Sequence, residues 1–399
     1  MNSLGSRLLF AGNFSERLMW GLLILFALSM MFSTAVVQTT VVLLCVLWIR
    51  TLMTARALRL QRTALDLPIL AFIGARIISI VFASHPGRSV HALYIEVFFT
   101  CLFFIVTDVL TVRDMGRMRI LLRTVFIAAA LAAVIGIGKV VLLGAVRASS
   151  VTSGYYSLGL YLSAVCALAL VLGREREYFS RRTLWAALCV LLSAGIILTY
   201  NRMHWITLLY SVVVVGIVRE RKALLVAVVL GAVSVLLIPS VQERFLQLVH
   251  LTSHLSDRDI LWKGAFMRAG EHVFVGFGPR SFPDIFPLFG ELNDKGIGGW
   301  HNDYLQVYME SGIVGVAAML WLFAAVVYHG VRALKRTDLS AERRNVLAGV
   351  LLALSIFFIA GGLFDTVVSL LFWFLLAVLA LMVGGDRRIQ RTAPAHVEG

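Results

Sequence analysis

The sequence predicts an all-α polytopic membrane protein of about twelve transmembrane helices, with one large helical loop facing away from the cytoplasm. Three observations predict it. Of 399 residues, 60% are hydrophobic and only 15% charged, against roughly a quarter charged in an ordinary soluble chain. Many windows reach the ~20 apolar residues that cross a hydrocarbon core of ~30 Å, without the period-two alternation of a membrane β-barrel. Lysine and arginine gather in the gaps between apolar runs. The formal charge of +14 therefore reports topology and implies no nucleic-acid partner.

In chain order the predicted spans are 18–33, 35–49, 64–83, 95–111, 120–144, 156–173, 183–200, 203–218, 223–240, 308–328, 346–364 and 366–384. The first run starts near Leu18, is followed closely by the second and lacks a small-residue cleavage site. It reads as a retained helix and not a cleaved signal peptide. Very short turns join the first two spans, the seventh to the eighth and the last two, which makes each pair a tight helical hairpin. Basic clusters fall at Arg50–Arg62, Arg113–Arg123, Arg174–Arg182, Arg219–Lys222, Arg332–Arg344 and Arg387–Arg391, all on one side of this arrangement. With Arg7 and Arg17, that side holds 25 of the 36 basic residues. The positive-inside rule makes it the cytoplasm, with both termini there. Cys45, Cys101, Cys166 and Cys189 each lie in an apolar run with no CxxC or Cys/His grouping, so neither a disulfide framework nor a zinc site is expected.

This topology divides the chain into spans over 1–240, an outer loop over 241–307, spans over 308–384 and a cytoplasmic tail over 385–399. Only the loop is long, and long loops in compact proteins are usually functional or disordered. Its SVQERFLQLVHL stretch is amphipathic, and SDRDILWKGAFMRAGEH opens with a capping pattern, Ser256 followed by Asp259. An ordered cap on the membrane domain is expected.

Eleven basic residues escape the cytoplasmic pattern: Arg76, Arg88, Lys139, Arg147, Arg202, Arg244, Arg258, Lys263, Arg268, Arg280 and Lys295. Charge held near the bilayer on the translocated side is costly and calls for a reason. Arg202, in the turn of LTYNRMHW, either snorkels to headgroups or aims a guanidinium into a central cavity, where its planar fork suits phosphate oxygens. Arg258, between Asp257 and Asp259, is either a solvated ion pair or a second phosphate ligand at a helix start. Trp262, four residues on, is placed to stack on it. The Asp-Arg-Asp triplet also has the form of a metal-binding DxD, but its central arginine would repel a cation. Gly276-Phe277-Gly278-Pro279-Arg280 lacks the Lys-Ser/Thr of a nucleotide P-loop. It either tightens a turn or adds Arg280 to a positive funnel, and Arg147, in RASSVTSGYYS, has the same two readings. His301, in GWHNDYLQVYMESGIVG, is either structural or a general base, since an imidazole is largely neutral near pH 7. Asn302 or Asp303 could orient it. His250 and His254 make no zinc motif with it, and no carboxylate spacing marks a glycosidase pair.

TYNRMHW, SDRDILWKGA, GFGPRSF and HNDYLQVYMESGIVG together resemble the O-antigen ligase family of the wider O-antigen ligase/polymerase superfamily. The distinctive part covers about 195–320. Asn201 stands where many relatives carry serine before the arginine. The resemblance implies a GT-C-like membrane glycosyltransferase without a cofactor or metal. It would act at the periplasmic face of a Gram-negative inner membrane. The implied donor is O-antigen linked to undecaprenyl pyrophosphate, and the implied acceptor is a sugar hydroxyl of lipid A–core oligosaccharide. His301 matches the family's catalytic histidine, and Arg202 and Arg258 match the arginines that hold the donor pyrophosphate. Membrane lipids would hold the remainder of the surface. O-antigen polymerase and protein O-oligosaccharyltransferase are rival readings within the superfamily. A lipid-linked glycan flippase is the rival outside it, but a flippase would spread charge along many spans.

Overall fold

The computed structural model describes residues 14–54, 61–110, 114–218, 242, 257–294 and 296–384, and all their regular structure is helical. The helices are α1 (Phe14–Ser29), α2 (Thr34–Thr54), α3 (Asp66–Val81), α4 (Pro86–Val109), α5 (Met115–Leu143), α6 (Tyr155–Leu172), α7 (Arg182–Ile197), α8 (Arg202–Val218), α9 (Arg258–Arg268), α10 (Phe282–Ile285), α11 (Asp303–Leu334), α12 (Ala341–Ala360) and α13 (Val368–Val383). Helices stand at eleven of the twelve predicted spans. The span at 223–240, the amphipathic SVQERFLQLVHL stretch and Ser256 lie outside the described residues, Gln242 excepted. Six helices, α2, α4, α5, α6, α11 and α12, are long and apolar enough to cross a membrane. Three more, α7, α8 and α13, are apolar but shorter.

Local sequence sets where several helices begin and end. Asp114 accepts the Arg117 backbone N–H to start α5, and Gly144 at φ 67° ends it. Such caps satisfy backbone groups that the helix itself leaves unpaired. Ser340 does the same for α12 by accepting from the Arg343 N–H. The α13 sequence VSLLFWFLLAVLALMV is apolar all round, and nearly every residue in it is buried. A helix with no polar face belongs at a bundle centre. Accordingly α13 packs on α4 and α12, while α12 lies along α6.

Loops predicted to share a side do meet. Arg119 makes a two-pronged ion pair with Glu342, and Asn345 Nδ2 donates to Glu175. At the other end of the bundle, Ser84 N–H donates to Phe277 O, Arg88 pairs with Asp284 at 2.7 Å and Ala148 N–H donates to Leu198 O.

Residues 257–294 and 296–302 form a cap with its own small core. Phe282, Phe286 and Trp300 stack edge and face at 4.8–5.8 Å between centroids, with Leu261, Leu292 and Ile297 around them. Gly264 lets α9 lie against the Phe286 ring, where a Cβ would come within 2.3 Å.

One break in α11 ties cap to bundle. Gly312 has φ 61° and ψ −162°, a conformation essentially reserved for glycine. The 273–278 strap runs across this break. Phe277 and Gly278 N–H groups donate to Met309 and Glu310 carbonyls, and Ile313 N–H donates to Val273 O. The strap therefore satisfies backbone groups that the break releases. Gly276 faces the Glu310–Ser311 peptide at 2.4 Å from any added Cβ. The GFG and ESG segments, far apart in sequence, are two halves of one close backbone contact.

Candidate active site

His301 is held from both sides. Trp300 before it is fully buried in the cap core. Asn302 after it caps α11, its Oδ1 accepting the Leu305 N–H at 3.0 Å. Between these anchors His301 takes φ 48°, a left-handed geometry that is uncommon for a non-glycine residue. Its ring remains open to the exterior. Even so, the surrounding cap removes water, and the Arg258 guanidinium adds positive charge. Together they hold its pKa below the ordinary histidine value, with Asp294 partly opposing. The neutral imidazole, the form that accepts a proton, is favoured.

Arg258 is the first residue of α9 and is half-buried. Its side chain makes no hydrogen bond or ion pair among the described residues, and its charge acts on His301. Its placement depends on Asp257. That residue is 5% exposed, sits at φ 60° and accepts from the Asn293 and Asp294 N–H groups, each at 3.0 Å, and from Asn293 Nδ2. Aspartate tolerates a left-handed backbone better than most residues. Its carboxylate thus ties the start of α9 to the segment that leads to His301. The predicted cap Ser256 is not described, and Asp257 is the N-cap, without capping through its side chain.

Arg202 opens α8. Asn201 accepts the Met203 N–H at 3.0 Å, so the amide fills a capping position and needs no hydroxyl there. Tyr200, at φ 50°, makes the sharp turn before it. Two residues on, His204 is fully buried and lies 5.2 Å from the Tyr156 ring, which connects the start of α8 to α6. Arg147 is half-buried and stacks on Tyr155, the first residue of α6, at 4.3 Å. Arg202 and Arg258 each open a helix, and Arg147 lies against the first residue of a third. Helix starts favour anions because unpaired N–H groups point outward there.

Other expected partners lie elsewhere. Asp303 does not orient His301: its carboxylate accepts the Leu363 N–H at 2.7 Å and faces Gly361, pinning the α12–α13 turn. Asn302 is occupied at the α11 cap. Trp262 is 42% exposed and makes no ring contact with Arg258 among the described residues, although the two share a helix face. Asp257 is spent on the 293–294 backbone while Asp259 is exposed, so the triplet does not converge on one point.

Arg76 and Glu310 were visible only as an odd cation and part of a motif. The structure buries both to 1% exposure. Arg76 grips Glu96 through two nitrogens and Glu310 at 2.8 Å, with Ser311 at 3.2 Å. Removing such charges from water is tolerable only with this pairing. Beside the cluster opens a small, largely apolar cleft, and Arg280 lies on its lining.

Residues 187–320 match the family model described as O-antigen ligase. The match places this segment in the O-antigen ligase/polymerase superfamily. It runs from α7 through the Gly312 break and contains His301, Arg202, Arg258 and Arg280. Arg147, Arg76, Glu96 and the α12–α13 turn lie outside it. No curated protein matches the chain. The superfamily match and the six long apolar helices together support a multi-pass membrane enzyme with a ligase- or polymerase-type role in O-antigen and lipopolysaccharide biosynthesis.

Proposed function

We propose that the protein is an O-antigen ligase. It transfers a glycan from undecaprenyl pyrophosphate to a sugar hydroxyl of lipid A–core at the periplasmic face of the inner membrane. The observation that carries this reading is the pairing of a neutral-leaning His301 with Arg258, which makes no ion pair among the described residues, inside the superfamily segment. Arg258 and Arg202 bind the donor pyrophosphate, helped by the helix starts they occupy. His301 takes the proton of the acceptor hydroxyl. The acceptor oxygen then attacks the anomeric carbon as the bond from that carbon to the phosphate oxygen breaks. The bonding pair leaves with the pyrophosphate, whose growing charge the guanidinium groups stabilise. A single displacement of this kind inverts the anomeric centre. The guanidinium groups supply the charge neutralisation a metal supplies elsewhere, so purified enzyme retains turnover in EDTA. Loss with chelator and recovery with magnesium would refute that part.

The deciding experiment removes the gene in its host and examines lipopolysaccharide by gel. A ligase loss leaves bare core while lipid-linked polymer accumulates. Core bearing a single repeat would mean a polymerase, and unchanged lipopolysaccharide would remove the protein from this chemistry.

A further inference from the structure

The cap covers its large apolar side chains everywhere but along one edge. Among its described residues, those left exposed are Trp262, Phe266, Met267, Val273 and Phe274, all in α9 and the start of the strap. Phe266 is 77% exposed and Phe274 71%. Away from this edge the exposed positions of the cap are polar or charged, as at Glu291, Asn293 and Asp294, or are proline and glycine.

α9 already gives Leu261 and Ala265 to the cap core. Trp262, Phe266 and Met267 stand on its other side, where a water-facing helix carries polar residues. Lys263 turns its ammonium to Glu291 at 3.5 Å, and Arg268 pairs with Glu271 at 3.1 Å. Long basic side chains that cross an apolar surface and carry their charge to its margin are the usual flank of a membrane-interface helix.

The backbone shows what this edge continues. Ile313 N–H donates to Val273 O at 2.8 Å and Val314 N–H to Phe274 O at 3.3 Å, so the strap lies beside Ile313 and Val314. Those two begin an exposed apolar stripe that recurs along α11 at Leu320 and Trp321 and again at Val327 and Tyr328. α11 is long and apolar enough to cross a membrane, so an exposed apolar stripe on it faces acyl chains. Tyr308 Oη donates to Ala269 O at 2.9 Å and holds the end of α9 to the same helix. The apolar edge of the cap therefore extends the lipid-facing surface of α11 beyond the Gly312 break.

We infer that this edge is a membrane-contact surface. Trp262, Phe266, Met267 and Phe274 lie in the headgroup and upper acyl region of the leaflet on the cap side, and their partner is the bilayer itself. Tryptophan is enriched at that level because its ring is apolar and its N–H is not. The cap rests on lipid along one edge and on the bundle through the strap. α9 begins with Arg258, so lipid at its far half steadies the residues at its start. The surface is the same for a ligase and a polymerase, and it depends on no assignment of donor or acceptor.

The test uses the full chain, without its native cysteines, in nanodiscs of phosphatidylcholine. Phe266→Cys, Phe274→Cys and Glu291→Cys each carry a bimane label, and Trp321→Cys on α11 is the reference for lipid. Quenching by brominated acyl chains is compared with quenching by aqueous iodide. Labels at 266, 274 and 321 lose most of their fluorescence to brominated lipid and little to iodide, and the label at 291 does the reverse. Iodide quenching at 266 and 274 as strong as at 291 would return the edge to water and overturn the proposal. So would protection from both quenchers, which would mean that a second copy or another part of the chain covers it. A second measurement keeps the native cysteines. Phe266→Ser combined with Phe274→Ser speeds amide exchange across α9 in nanodiscs by about tenfold or more, because two rings no longer hold it in lipid. Leucine at both positions keeps exchange near that of wild type. A ring standing in water holds nothing, so equal exchange in wild type and the serine pair would also refute the surface.

Discussion

Replacing Asp257 with alanine should loosen the cap and disable catalysis without touching a substrate contact. The carboxylate accepts three hydrogen bonds from residues 293 and 294 while 5% exposed. Bonds to a charged acceptor are worth about 1.5–3 kcal/mol each when buried. Asn293 and Asp294 are themselves exposed, so their amides rehydrate, and about 1 kcal/mol each is a fairer figure. Alanine at φ 60° adds about 1 kcal/mol of backbone strain. The cap should therefore lose roughly 4 kcal/mol against local opening. Asp257→Gly keeps the hydrogen-bond loss but removes the strain, and should lose about 1 kcal/mol less. Asp257→Asn keeps one acceptor oxygen and should lose about half as much. Amide exchange across 288–294 in detergent measures the opening, beside transfer rates. Displacing Arg258 from His301 should also move the acid limb of the pH–rate profile upward, since a nearby cation lowers the imidazole pKa. Exchange and turnover in Asp257→Ala within twofold of wild type would refute this account.

Further outcomes are expected at other positions. His301→Ala should slow transfer by about 10²–10⁴ while donor binding survives; normal turnover would remove it from catalysis. Arg258→Ala should weaken donor binding, with lysine rescuing it only partly because the planar fork is lost. The same variant should raise the His301 pKa, so activity, which needs the neutral ring, should fade at a higher pH on acidification. Its acid limb staying in place would contradict the assigned proximity. Glu310→Ala should cost about 3–5 kcal/mol, as breaking a buried pair does, read as a lower unfolding temperature, and Glu310→Gln should cost less. In a cysteine-free background, external reagent should label Glu291→Cys and spare Thr337→Cys; labelling of Thr337→Cys in intact cells would overturn the proposed orientation.

Much of the architecture was legible along the chain because a bilayer imposes one-dimensional rules. Apolar length marks a helix and basic clusters mark a side. The helices at eleven of the predicted spans, six of them long and apolar enough to cross a membrane, and the meeting of Arg119 with Glu342 follow from those rules. The arginines at turns and His301 stood out as charges in costly places. Their partners did not. Asp303 is the second residue after His301, yet its carboxylate turns to Leu363, 60 positions away. Trp262 has helical spacing from Arg258 but faces outward. Spacing shows which side chains can meet, while packing against a third element decides whether they do.

What the sequence by itself determined was therefore the helical membrane class, the candidate base and the candidate clamp, since each follows from the identity of a residue and its local surroundings. Only the tertiary structure decided which carboxylate does what. Asp257 became a brace for Arg258, Asp303 a pin for the α12–α13 turn, and Glu310 a counter-ion for Arg76 across 234 positions of chain. The physical reason is that a buried charge must find its partner wherever the fold brings one. Such pairings join residues distant in sequence and leave no periodic mark on it.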